Sequence, residues 1–265
     1  MKVGILGVGM VGSALRHGFS RIGHDVIVHD PKLTETAFEH VLPTDVVFIC
    51  VPTPSAQDGS CDISIVEGVV DTLADAKYSG LVVIKSTVEP GTTDFLSQKH
   101  PKIRLSFCPE FLRERAMYVD FVENNDVCII GAYNEKDASA LREVHGSLPK
   151  EFAVVSPLEA EFSKYFFNVF NALRIVYANQ FYDVCKASGA NYQKVKEAMT
   201  KHRTMPSVYL ECNENFRGFG GACLPKDTKA FAEYAKKVLN LSKDENMTLF
   251  EGIVEINKRY KETVL

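Results

Sequence analysis

The chain has 265 residues, with 30 Lys+Arg against 34 Asp+Glu and a formal charge of −4. That balance argues against an electrostatic nucleic-acid binder, and 46 % hydrophobic with 24 % charged residues is the mix of an ordinary soluble globular protein of one or two domains. The longest purely apolar stretch near the middle, Val46–Val51, is far short of the roughly 20 residues that a membrane-spanning helix needs.

In chain order, short β-branched runs alternate with helix-length amphipathic segments. A strand is expected at Lys2–Leu6, a helix at Met10–Ile22 and a second strand at Asp25–His29. Further strand runs follow at Asp45–Val51, Leu81–Lys85, Arg104–Phe107 and Val127–Ile130, with a last short one at Phe152–Val155. Near-continuous apolar strands separated by helices are what a parallel sheet buried on both faces requires, so residues 1–156 read as a doubly wound α/β domain. The run Val3–Leu15 behind Lys2 could pass for a secretion signal, but Gly4, Gly7, Gly9 and Gly12 keep spacings that a cleaved segment has no reason to hold.

After Val155 the period changes from two to three and four. Phe162, Tyr165, Phe166, Val169, Leu173 and Val176 predict one long helix over about Leu158–Ser188, ended by Gly189. At 1.5 Å per residue it would be roughly 45 Å long, more than a small domain is wide, so a second copy of the chain packed along it is the simplest expectation. Helices at Tyr192–Met199, Lys226–Leu239 and Met247–Tyr260 would complete a helical domain over residues 157–265. Repeats and low-complexity tracts are not evident, and the Lys/Glu-rich tail reads as a solvated helix face.

Seven cysteines are an odd number without a C-x-x-C pair, so neither a disulfide framework nor a metal site is indicated by spacing. Cys50, Cys108 and Cys128 fall in apolar runs and read as small core hydrophobes, which points to a reducing, cytoplasmic setting.

Two places carry chemistry. Gly7-Val8-Gly9-Met10-Val11-Gly12 lies between the first strand and the first helix, where glycines allow a tight turn and close approach of a pyrophosphate. Asp30 ends the second strand, where its carboxylate can accept from adenosine ribose hydroxyls; no arginine follows within ten residues, so NAD is favoured over NADP in a Rossmann-type domain. Near the other end, Gly218-Phe219-Gly220-Gly221-Ala222-Cys223-Leu224-Pro225-Lys226-Asp227 puts a thiol beside a glycine-rich loop at the start of a helix, where backbone amides favour a thiolate. A lone cysteine is more often structural than catalytic. Lys164 and Asn168, four apart on one face of the long helix, could be a solvated stripe or could be aimed at an oxygen that becomes negative during a reaction.

The segment 218–227 resembles the cysteine motif of the UDP-glucose/GDP-mannose dehydrogenase family. Supporting matches are the glycine turn at 7–12, Val51-Pro52-Thr53-Pro54, Ser86-Thr87-Val88-Glu89-Pro90-Gly91-Thr92, Pro109-Glu110-Phe111-Leu112-Arg113-Glu114, Ala160-Glu161, Lys164-Tyr165, Asn168 and Asn179. The resemblance implies oxidation of a sugar-nucleotide primary alcohol to a carboxylate with two NAD in succession, most commonly on UDP-glucose, in a dimer. It casts Cys223 as the nucleophile that holds the intermediate, and Lys164 and Asn168 as groups steadying the reacting oxygen. Asp227 and Thr87 would handle protons, and Glu110 would assist thioester hydrolysis. Gly7, Gly9, Met10, Val11, Gly12, Asp30, Thr53, Thr87, Glu114 and Lys226 fall at the positions used for NAD. Glu110, Phe111, Leu112, Arg113, Lys164, Asn168 and Gly220 fall at those used for substrate; no metal is implied.

Three departures from the family pattern stand out. The family's third, α/β domain is not found after Val254-Glu255-Ile256-Asn257-Lys258-Arg259. Asn215-Phe216-Arg217 replaces a Pro-Gly-x ahead of the glycine loop, within a longer connection from Arg203, and Arg115 replaces a glycine. Arg217 and Arg115 are therefore candidates for binding substrate phosphates. Two other readings remain open: a β-hydroxyacid dehydrogenase, which needs no thiol, and a catalytically weak NAD-binding or regulatory homologue.

Overall fold

The computed structural model describes residues 1–33, 36–241 and 248–260. The chain divides into two units, one of Met1–Pro54 with Cys61–Lys164 and one of Ser55–Ser60 with Tyr165–Leu265. The division falls inside the long helix, eight residues beyond the boundary the sequence pattern suggests. Periodicity marks where a helix begins, whereas contacts mark where it changes neighbours: Ala160 and Glu161 still pack with the sheet-bearing unit.

That first unit is one sheet of seven strands: β1 (Lys2–Leu6), β2 (Asp25–His29), β3 (Val46–Ile49), β4 (Leu81–Ile84), β5 (Arg104–Phe107), β6 (Val127–Gly131) and β7 (Glu151–Val155). Their spatial order is β2-β1-β3-β4-β5-β6-β7. Five helices connect them: α1 (Met10–Arg21), α2 (Ser64–Asp75), α3 (Thr92–Lys99), α4 (Met117–Val122) and α5 (Glu135–His145).

Alternation along each strand sorts its residues between two apolar layers. Val3, Ile5, Val46, Phe48, Leu81 and Val83 join Phe19 of α1, Phe121 of α4 and Leu141 and Val144 of α5. Val47, Ile49, Val82 and Ile84 point the other way, onto Val66, Val70 and Leu73 of α2 and Leu96 of α3. The central strands β3 and β4 are buried at every residue, which is why their sequences read as unbroken apolar runs.

The sheet is mostly parallel, as the doubly wound reading expects, with one antiparallel step that the strand pattern did not reveal. β6 runs antiparallel to β5, paired through Phe107 and Gly131, while every other neighbouring pair is parallel. The link between β5 and β6 contains a 3-10 turn at Glu114–Ala116 and the six-residue α4, about 9 Å of helix, too short to carry the chain back along a strand. The eleven-residue α5 does make that return between β6 and β7.

In the helical unit, α6 (Pro157–Ala187) supplies the backbone from Tyr165 onward, followed by α7 (Tyr192–Met199), α8 (Leu224–Leu239) and α9 (Leu249–Asn257). Val169, Ala172, Ile175 and Val176 of α6 pack with Phe219 and with Ile253 of α9, and the rings of Phe231 and Phe250 join α8 to α9 at 4.9 Å. Thr248 and Glu251 form a reciprocal capping box at the start of α9. The helix expected from Met247 to Tyr260 is therefore shorter at both ends, and Met247 itself lies outside the described residues.

Candidate active site

At the cofactor end, Gly7 turns the chain from β1 into α1 with φ +92°, and its amide donates to the His29 carbonyl at 2.8 Å. Asp30, just past β2, accepts from the amides of Val8 (2.8 Å) and Lys32 (2.9 Å). The Val8 amide, then the Lys32 amide, hold its carboxyl below the usual carboxylate range. Each oxygen takes one of these bonds and keeps a lone pair for a ribose hydroxyl.

Gly9 caps α1 without a side chain, so the first-turn amides of Met10, Val11 and Gly12 point outward as a helix N-terminus does. A Cβ at Gly9 would meet nothing within 4 Å, whereas one at Gly12 would lie 2.0 Å from the Gly7 carbonyl oxygen. Gly9 thus leaves space on the outside of the turn and Gly12 closes it on the inside, which fits a dinucleotide pyrophosphate. A cleft of about 390 Å³ opens beside this turn with Val8, Ser13 and Arg16 on its wall; Arg16 was not singled out from sequence. Thr53 and Thr87 follow the ends of β3 and β4, and Ser86 ties those ends together by donating to the Val51 carbonyl at 2.7 Å. Glu114 is exposed on a short 3-10 turn, with Arg115 beside it.

The segment after β5 is held from beneath. Glu110 is buried and ion-paired with the buried Lys85 at 2.9 Å. Burial opposes the charge on Lys85, but the charges of Cys108 and Glu110 overcome it and raise its pKa above the ordinary lysine value. Lys164 donates to the Glu110 carbonyl and stands 5.5 Å from the Phe111 ring centre. Lys164, Glu110 and Phe111 are therefore brought together, with Leu112 half-buried beside them. Arg113 grips Asp120 through two guanidinium bonds, 2.9 and 2.6 Å, which hold the Asp120 carboxyl down to about 2.

In the helical unit, Cys223 is the N-cap residue of α8, with Pro225 in the first turn. Asp227 follows one turn on, only 1 % exposed; it accepts from Asn168 Nδ2 at 2.6 Å and pairs with Lys226 at 2.7 Å. Cys223, Asp227, Lys226 and Asn168 thus converge on one helix end. In this structure Lys226, placed by resemblance at the cofactor, has its ammonium on Asp227.

The glycine-rich loop ahead of Cys223 is fastened by two buried asparagines. Asn257 accepts from the Phe219 amide and donates to the Phe219 carbonyl, each at 2.9 Å. Asn179 accepts from the Gly218 amide at 3.2 Å and from Arg217 Nε at 2.7 Å. Arg217 also bonds Asp183 at 2.5 Å and lies 4.8 and 4.7 Å from the rings of Tyr182 and Tyr260. In this structure the Arg217 guanidinium, a candidate for substrate phosphates from sequence, is engaged within the helical unit by Asp183 and Asn179. Gly220 is half-buried in the loop, and Arg203 is exposed on the connection ahead of it.

One residue named from sequence only as a family match, and one cluster that escaped the sequence reading, complete the picture. Glu161 is fully buried and accepts from the Gly91 amide (2.6 Å), the Thr93 amide (2.8 Å) and the Thr93 hydroxyl (2.6 Å). Burial pushes its carboxyl up to about 7 although these three donors oppose the rise. The sequence offered it only as part of the Ala160-Glu161 match, with no role attached. The second is a gathering of Cys108, Cys128 and His145, whose three ligand atoms lie within 4.8 Å of one another. Residues on β6, after β5 and at the end of α5 have no common spacing for a motif to reveal.

An open α/β sheet with a glycine turn shaped for a pyrophosphate, carried with a helical unit, defines an NAD-dependent dehydrogenase. The chain belongs to the UDP-glucose/GDP-mannose dehydrogenase family: the family's NAD binding domain matches residues 29–148 and its central domain residues 158–259. The UDP-glucose 6-dehydrogenase AglM of Haloferax volcanii is 29 % identical over 316 residues, covering 100 % of this chain and 71 % of its own length. The UDP-glucose 6-dehydrogenase TuaD of Bacillus subtilis is 27 % identical over 98 % of this chain and 63 % of its own length. The solved structure of a UDP-glucose dehydrogenase from Pyrobaculum islandicum superposes with a TM-score of 0.86 at 30 % identity, over 97 % of this chain and 68 % of that one. Among the described residues, no helix is long and apolar enough to cross a membrane.

Proposed function

We propose that the chain carries the NAD-binding and catalytic parts of a sugar-nucleotide 6-dehydrogenase that oxidises UDP-glucose, or a close UDP- or GDP-sugar, to the uronate. The observation that carries this reading is Cys223 at the N-terminus of α8 with Asp227 one turn further, buried and held by Asn168 at 2.6 Å. A helix N-terminus stabilises negative charge on the sulfur, and a carboxylate fixed one turn away can accept or return a proton.

NAD, when bound, accepts a hydride in each of two oxidations. The Cys223 thiolate adds to the carbonyl carbon of the aldehyde, forming a carbon–sulfur bond while the oxygen takes a proton; loss of hydride from that carbon, with the hydroxyl proton passing to Asp227, would then leave a thioester. Asp227 receives and returns protons. Asn168 orients that carboxylate, and Lys164 supplies positive charge to oxygen as it becomes negative. Water cleaves the thioester, releasing the carboxylate and regenerating the thiol, with Glu110 held in place by Lys85.

Two NADH should form per UDP-glucose consumed. Cys223→Ser should abolish the four-electron product while leaving NAD affinity intact. One NADH per sugar, or uronate formed by the Ser variant, rules the thioester route out.

The same reading includes a homodimer along α6. Phe166 is 77 % exposed and Val184 63 % exposed, and Phe170, Tyr177 and Phe181 lie exposed between them at helical spacing. Phe166→Glu together with Val184→Glu should convert a dimer to a monomer in light scattering. An unchanged mass for the double variant refutes this interface.

A further inference from the structure

The cluster under the Cys108-Pro109-Glu110 segment has the geometry of a metal site. Cys108 Sγ is 3.6 Å from Cys128 Sγ and 4.0 Å from His145 Nε2, and all three residues are buried. An ion with metal–sulfur bonds of about 2.3 Å and a metal–nitrogen bond of about 2.0 Å sets tetrahedral ligand edges of about 3.8 Å for S–S and about 3.5 Å for S–N. The sulfurs stand about 0.2 Å inside their edge and Cys108 Sγ to His145 Nε2 about 0.5 Å outside its own, with all three atoms within 4.8 Å of one another, so one ion could sit among them once the imidazole closes on the sulfurs.

The imidazole is already oriented for ligation. His145 Nδ1 lies 2.8 Å from the Leu141 carbonyl one turn back in α5. A carbonyl can only accept, so Nδ1 carries the proton and Nε2 presents its lone pair toward the sulfurs. The Phe19 and Phe48 rings stand nearly perpendicular to the imidazole, with centroids 5.3 and 5.8 Å away, and keep its surroundings apolar.

We propose that Cys108 Sγ, Cys128 Sγ and His145 Nε2 form a buried three-ligand site for a soft, thiophilic d10 cation, zinc(II) or copper(I). Two thiolates and an imidazole select such ions over hard ones. The ion would join β5 to β6 across the antiparallel step of the sheet and brace the segment that carries Glu110. It takes no part in the proposed oxidation, so failure of the site leaves that reading untouched.

The test is metal content of the full chain. Protein purified under reducing conditions from zinc-supplemented, copper-supplemented and cobalt-supplemented cultures is analysed for bound metal per chain, and the zinc and copper arms decide between those ions. Cobalt-grown protein should show the intense thiolate-to-cobalt charge-transfer band in the near ultraviolet at one equivalent. Cys108→Ser and Cys128→Ser should each lose both the metal and the band, whereas Cys212→Ser, in the other unit, should keep them. A wild-type chain with no bound metal in any of the three media overturns the proposal without reference to a variant. So does a band that survives in the Cys108→Ser, Cys128→Ser double variant, or a wild-type chain whose two thiols are recovered as a disulfide.

Discussion

The glycine turn offers a sharp contrast between two alanine substitutions three residues apart. At Gly12 an added Cβ would fall 2.0 Å from the Gly7 carbonyl oxygen and 3.0 Å from its carbon. Relief requires α1 to move by more than about 1 Å from a backbone atom that cannot rotate away, since comfortable contact begins near 3.5 Å. Overpacking of this kind costs about 1–3 kcal/mol. In a protein of this size that lowers Tm by roughly 2–12 °C. At Gly9 the added Cβ meets nothing within 4 Å, and φ −74° with ψ −157° is extended backbone open to any residue. The stability cost there is that of a poorer N-cap, under about 1 kcal/mol. The same methyl group, however, would occupy the space on the dinucleotide side of the turn. Gly9→Ala should therefore keep Tm within about 4 °C of wild type while weakening NAD binding at least about tenfold, or 1.4 kcal/mol. Differential scanning fluorimetry and NAD titration by calorimetry read the two quantities separately. Wild-type NAD affinity in Gly9→Ala, or equal Tm losses in the two variants, would refute the assignment of inner and outer glycines.

Two further expectations follow from side chains whose environment the fold alone reveals. Arg217→Ala removes a charged bond to Asp183, a bond to Asn179 and stacking on Tyr182 and Tyr260; it should cost about 3 kcal/mol and leave the KM for UDP-glucose unchanged, and a raised KM with unaltered Tm would return Arg217 to phosphate binding. Glu161, pushed up to about 7, favours its neutral form in the folded chain, so its contribution to stability falls as pH rises from its unfolded value through 7. The full swing is about 3 kcal/mol, and urea midpoints across that range should decline more steeply in wild type than in Glu161→Gln; parallel declines would show that Glu161 is ionised throughout.

Much of the fold could be read in the sequence because burial on two faces and burial on one stripe leave different periods. β1, β2, β5, α7 and the 31-residue α6 begin and end within a residue of where the pattern places them. The glycine turn and Asp30 were legible for a related reason: their chemistry is local, set by backbone geometry within one strand-turn-helix step. Chain pattern also put Cys223 just ahead of a helix, although it started that helix at Lys226, two residues later than α8 begins.

What the sequence determined by itself was the alternation of strands and helices, the change to a helical second half, and the cofactor turn, all fixed by interactions among near neighbours. Tertiary structure alone decided that β6 runs against β5, that Arg217 is clamped between two tyrosine rings, and that Asn179 and Asn257 fasten the cysteine loop. It also decided that Cys108, Cys128 and His145 share one pocket of the core. Each of those depends on residues 17 to 77 positions apart being carried into contact, as in the pairs Cys128–His145 and Asp183–Tyr260. Side-chain chemistry sets what such residues can do, but the sheet and helix packing sets whether they meet.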